Sequence, residues 1–142
     1  MGGGTRAVPD AFSAETGITM TSTLDELKGK NVLVLEDEFL IAETTCMDLE
    51  AAGAFVVGPV PTVARALSLL QNRPVDAALL DIKLNEETSI SIVNELQRRS
   101  IPFVFVSNIH PAELPPHYRS FLVGKPADMA VIAESLFVKQ RS

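Results

Sequence analysis

Five short stretches of nearly unbroken apolar residues set what this chain can become: NVLVLE from Asn31, AFVVGPV from Ala54, VDAALLD from Val75, IPFVFVSN from Ile101 and SFLVG from Ser120. A strand with one wet face alternates apolar and polar residues, whereas a strand covered on both faces reads as a continuous apolar run. The segments between them carry helical spacing instead. Phe39, Ala42, Cys46 and Leu49 form one stripe, Val63, Ala66, Leu67 and Leu70 a second, and Ile90, Val93 and Leu96 a third. ADMAVIAESLFVKQ, from Ala127, is a last helix. Thr62 and Asp128 stand where helix caps belong, and Gly53 stands where a helix stops. Strands alternating with helices predict an α/β fold of three layers, with a five-stranded parallel sheet in the middle.

The chain has 142 residues, the size of one domain, and 46% of them are hydrophobic, enough for a core at this length. Residues 1–30 read as a Gly-, Ser- and Thr-rich flexible extension, with TSTLDELKGK as a short helix leading into residues 31–139. Ser22 or Thr23 is its candidate cap. Formal net charge is −6, which excludes direct nucleic-acid binding through general electrostatics. No apolar run reaches the length of a membrane span, and the N-terminus has no secretory pattern. One cysteine, Cys46, rules out a disulfide framework and a zinc cluster and reads as a buried structural thiol in a cytoplasmic protein.

Two of the apolar runs end on acids, which is costly where a core strand emerges. The first runs into Glu36, Asp37 and Glu38, the third into Asp81. The fourth ends on Ser107 and Asn108, and Lys125 follows the fifth. In an open parallel sheet, the carboxyl ends of the strands form the ligand-binding edge. Three carboxylates gathered there call for a cation. A hard ion held by oxygens that keeps several waters fits Mg²⁺.

VLVLEDEF, ALLDIKL, FVFVSN and GKP, in this order and each at a strand end, resemble the receiver domains of two-component response regulators. The resemblance runs from Asn31 to about Phe137 and implies a (βα)5, flavodoxin-like receiver fold. It implies that Asp81 accepts a phosphoryl group from a histidine kinase or a histidine phosphotransfer protein. Glu36, Asp37, Asp81 and the backbone carbonyl of Lys83 would hold Mg²⁺. Ser107 and Lys125 would bind the phosphoryl oxygens, and the Lys125–Pro126 bond would be cis.

Two departures stand out. Leu122 replaces the aromatic residue the family usually carries three positions before the lysine, with Phe121 beside it. Pro111, Pro115 and Pro116 leave room for barely a turn of the family's fourth helix. DIKLNEETS followed by IPFVFVS is similar to a subgroup of stand-alone receivers that work beside histidine kinases of the HWE type, although Val106-Ser107-Asn108 departs from that subgroup's Ala-Thr-Gly. No output domain is visible, so the expectation is a non-enzymatic regulator acting through a downstream protein target, with dimerisation left open. Three alternatives remain: a phosphate sink or shuttle, a phosphate-independent pseudo-receiver, and a Mg²⁺-dependent phosphohydrolase. The last lacks the Asp-x-Asp pattern such enzymes carry on their first strand.

Overall fold

The computed structural model describes residues 23–81, 86–125 and 127–140, with residues 86–90 described by their helical backbone alone. Five strands form one parallel sheet in the order β2-β1-β3-β4-β5. They are β1 (Asn31–Leu35), β2 (Phe55–Val60), β3 (Ala77–Leu80), β4 (Phe103–Val106) and β5 (Leu122–Val123). Helices α1 (Phe39–Ala51), α2 (Val63–Asn72), α3 (Glu86–Arg98) and α4 (Met129–Glu134) complete the layers, and α4 runs on as a π-helical turn over Ser135–Lys139.

Successive strand residues face opposite sides of a sheet, and here both sides are covered. Val32, Val34, Ala77, Leu79, Val104 and Val106 pack with Leu49, Ile132, Leu136 and Phe137 on one face. Leu33, Leu35, Ala78, Leu80, Phe103 and Phe105 pack with Val63, Ala66, Leu70, Ile92 and Leu96 on the other. This is why the strands read as unbroken apolar runs. The helix stripes hold with two adjustments. Phe39 opens α1 at 76% exposure, leaving Ala42 and Leu49 as that helix's buried residues, with Cys46 only half-buried. On α3, Ile92 joins Val93 and Leu96 in the core, while the side chain of Ile90 lies outside the described residues.

Local signals act as their chemistry requires. The Thr62 hydroxyl accepts from the Arg65 N–H at 3.2 Å and caps α2, and the Asp128 carboxylate accepts from the Ala130 N–H at 2.8 Å and caps α4. Gly58 sits at φ +100, and a Cβ there would lie 3.0 Å from the Val60 nitrogen and 3.2 Å from the Val34 carbonyl. Glycine is therefore required where β2 shifts register against β1. Residues 23–30 pack onto the body: Leu27 is fully buried and Leu24 lies against the same cluster. Ser22 lies outside the described residues.

Between β4 and β5 there is no full helix. Two 3-10 turns, Pro111–Glu113 and Pro116–Phe121, take its place, in keeping with the three prolines. Their carbonyls are collected by one guanidinium: Arg119 Nε donates to the Pro111 carbonyl at 2.9 Å and to the Leu114 carbonyl at 3.1 Å. Phe121 stacks on Phe103 with ring centroids 4.8 Å apart, and Leu122 opens β5. That strand is only two residues long. It pairs with Phe105 and Val106 and leaves the N–H and C=O of Phe103 to the Gln140 side-chain amide, at 3.2 and 2.8 Å.

Candidate functional site

Because β1 and β3 are neighbours, paired Leu35 to Leu80, the residues that follow them emerge side by side. The Asp81 N–H donates to the Leu35 carbonyl at 3.0 Å, and the Glu36 N–H donates to the Val60 carbonyl at 3.0 Å. Glu36 and Asp81 are thus fixed by the ends of the sheet ladder. Both are buried, Asp81 to 2% exposure and Glu36 to 8%, while Asp37 is exposed. Carboxylate oxygens of Glu36, Asp37 and Asp81 lie within 4.8 Å of one another.

Lys125 arrives from beyond β5. Its Nζ lies 3.2 Å from Glu36 Oε1 and 3.6 Å from Asp81 Oδ2, with only 10% of the side chain exposed. One ammonium facing two buried carboxylates leaves the cluster net negative. Burial, followed by the neighbouring Asp81 carboxylate, raises the Glu36 carboxyl above the usual glutamate range, against the lowering pull of the Glu38 N–H and the Lys125 ammonium. Oxygen-only donors, crowded and net negative, suit a hard divalent cation. Glu36, Asp37 and Asp81 could supply its protein ligands.

Ser107 follows β4, the next strand over, and is 1% exposed. Its backbone N–H donates to the Val123 carbonyl at 3.1 Å, and its Oγ accepts from the Ile109 N–H at 3.2 Å. The fold therefore carries Glu36, Asp37, Asp81, Ser107 and Lys125 at the carboxyl edge of the sheet. It brings the first three and Lys125 into one cluster. Lys83 lies outside the described residues, as does Pro126 with the expected cis bond. Two contacts are not legible from residue types along the chain: the direct Lys125–Glu36 pair and the Glu38 N–H donated to Glu36 Oε2 at 3.1 Å. Both join residues whose approach depends on how the loops turn.

A cleft of about 440 Å³ opens beside this edge, between α1 and the start of α4, lined by Leu40, Thr44, Asp48, Asn108, Lys125 and Met129 among others. Lys125 is shared by the cleft and the carboxylate cluster.

Comparison with solved structures places this architecture. The chain is 34% identical to SdrG from Pseudomonas melonis Fr1, solved in its BeF3-activated conformation, with a TM-score of 0.64 over 73% of this chain and 90% of that one. SdrG from Sphingomonas melonis Fr1 gives 33% identity and a TM-score of 0.64, over 77% and 93%. The response regulator PhyR from Brucella abortus gives 28% identity and a TM-score of 0.71 over 92% of this chain, which spans 58% of that protein's length. No family model and no curated protein matches the chain. The fold and these likenesses define the class: the chain belongs to the receiver-type response regulators. No described helix is long and apolar enough to cross a membrane.

Proposed function

We propose that this chain is a phosphorylatable receiver of the cytoplasm, with Asp81 as the phosphoacceptor and a downstream protein as its target. The observation that carries the reading is the setting of Asp81. A buried carboxylate ends a core strand, with two further carboxylates in ligand range and the Lys125 ammonium 3.6 Å away. In the reaction, an Asp81 oxygen bonds to phosphorus as the P–N bond of a donor phosphohistidine breaks, and the departing imidazole keeps its electron pair and takes up a proton. Glu36, Asp37 and Asp81 would hold Mg²⁺, with the Lys83 carbonyl as a further ligand by family resemblance. When bound, the ion supplies positive charge that neutralises the phosphoryl oxygens. Lys125 would add a second positive charge, and the Ser107 hydroxyl would bind a phosphoryl oxygen.

The donor is a histidine kinase or a histidine phosphotransfer protein. PhyR from Bartonella quintana, an anti-anti-sigma factor, supports a protein partner as the readout. The likeness to a BeF3-activated SdrG supports the acceptor chemistry.

The test is intact-protein mass after incubation with acetyl phosphate and Mg²⁺, for wild type and Asp81→Ala, with and without EDTA. A phosphoryl adduct only in metal-loaded wild type is expected. An adduct on Asp81→Ala would remove Asp81 from the role. Failure of wild type to form either the adduct or a beryllofluoride complex would favour a phosphate-independent pseudo-receiver.

A further inference from the structure

The loop after Ser107 combines short 3-10 turns with side-chain hydrogen bonds to its backbone. His110 Nδ1 accepts from the Ala112 N–H at 3.0 Å, and Glu113 Oε2 accepts from the His110 N–H at 3.3 Å. Together they make a reciprocal capping box around Pro111–Glu113, with histidine in the place usual for serine, threonine or aspartate. One residue earlier, the Ile109 N–H is donated to Ser107 Oγ at 3.2 Å. The cap and the serine clasp thus share one short run of backbone, residues 107–113.

The choice of residue has a chemical consequence. A hydroxyl or carboxylate oxygen accepts a hydrogen bond throughout the neutral range. An imidazole nitrogen accepts only while it carries no proton, because imidazolium presents N–H at both ring nitrogens. Protonation would set one donor against another at the Ala112 N–H. Histidine is the side chain whose ordinary charge change falls between about pH 5 and 8.

We propose that His110 is a proton-sensitive cap: its neutral imidazole holds the Ala112 N–H, and protonation releases it, while the Glu113 N–H to His110 carbonyl bond at 2.9 Å and the Leu114 N–H to Pro111 carbonyl bond at 3.0 Å keep the rest of the turn. The described charged and titratable groups that face it are few. Glu113, on the same turn, attracts the imidazolium but already accepts from the His110 backbone. Arg119, from the next turn, opposes positive charge and is committed to the carbonyls of Pro111, Leu114 and, through Nη2 at 3.5 Å, Ala112 itself. His117 packs its ring on Tyr118, with centroids 4.1 Å apart. His110 is exposed, so water takes up the released groups and the opening stays local. On the proposed function, acidification also loosens the Ser107 hydroxyl from its backbone donor, the Ile109 N–H, and so changes how readily it reaches a phosphoryl group.

The experiment is ¹⁵N NMR of the full chain between about pH 8 and pH 5, on wild type, His110→Asn and His117→Asn, first without metal or phosphoryl analogue. Asparagine caps well and does not titrate in this range. The Ala112 amide is expected to shift with the His110 ring in wild type and in His117→Asn. Its protection factor, corrected for intrinsic exchange, should fall about fivefold as the cap opens. In His110→Asn the same amide should stay flat. An Ala112 amide indifferent to the His110 ring, or an equal response in His110→Asn, would overturn the proposal.

Beryllofluoride with Mg²⁺ is then titrated at both ends of the range. A pH effect on binding that His110→Asn abolishes is the expected result, and one that persists in His110→Asn overturns the link to Ser107. If no complex forms at any pH while Ala112 still follows His110, the proposed function fails and the cap stands.

Discussion

Lys125 holds the site together when no other cation is present. Its ammonium stands 3.2 Å from Glu36 and 3.6 Å from Asp81, with side chains 10%, 6% and 1% exposed respectively. Removing one partner from a buried ion pair leaves uncompensated charge and costs about 3 kcal/mol. Lys125→Met should therefore lower stability by about 3 kcal/mol in urea unfolding with EDTA. Under the proposed metal-holding role, the variant's carboxylates carry more net negative charge and attract a divalent ion more strongly, so saturating Mg²⁺ should narrow the gap. A gap that is the same with and without Mg²⁺ would count against a metal among these acids. Half-buried, the Cys46 thiol is pushed up by burial and then by the Glu50 carboxylate, which makes it a poor nucleophile and supports the structural reading.

At the scale of elements, the end of α3 is tied down by charge. The Glu95 carboxylate accepts from Arg98 Nη2 at 2.5 Å and from Arg99 Nε at 2.6 Å, and Arg99 reaches on to the Leu70 carbonyl of α2 at 3.0 Å. The two guanidinium groups lower the Glu95 carboxyl from its ordinary 4.5 to about 2, Arg98 first. A depressed carboxylate stabilises the fold above the unfolded value, and this is lost as pH falls through the folded value. The denaturation midpoint of wild type should thus exceed that of Glu95→Gln near neutral pH. The difference should shrink between pH 4.5 and about 2 and vanish below. A difference independent of pH across that window would mean that the arginines act on Glu95 through packing alone. The segment between β4 and β5 shows the same economy of means. Three prolines remove helix donors, and Arg119 and Gln140 serve the backbone groups that a longer helix and a longer strand would have taken up.

For the whole molecule, both faces of the sheet are closed, and residues 23–30 take part in closing one of them. Leu27 is fully buried against the cluster that holds Leu49, Ile132 and Phe137. Leu27→Ala should cost about 3 kcal/mol in chemical denaturation. A loss under about 0.5 kcal/mol, the size of an ordinary surface substitution, would show that residues 23–30 contribute nothing to the folded body. Much of this architecture was legible in advance. Runs such as AALL and FVFV, buried at every residue, announce strands covered on both sides, and Thr62 and Asp128 cap as their types and places require. Phe39 was not legible: it continues the apolar spacing of α1 yet stands 76% exposed, as does its neighbour Leu40 at 73%, so the first turn of that helix adds no large side chain to the core.

Within the site, the residue types and their positions at strand ends came from the chain itself. Hydrophobic periodicity is a local property, so the α/β layers and the gathering of Glu36, Asp37, Asp81, Ser107 and Lys125 along one edge can be read from the order of residues. Distances between strand ends and the turns of loops depend on contacts between residues far apart in the chain. The pairing of Lys125 with Glu36, 89 positions away, the closing of the β4 edge at Phe103 by Gln140, and the His110 cap beside Ser107 follow from the folded chain alone.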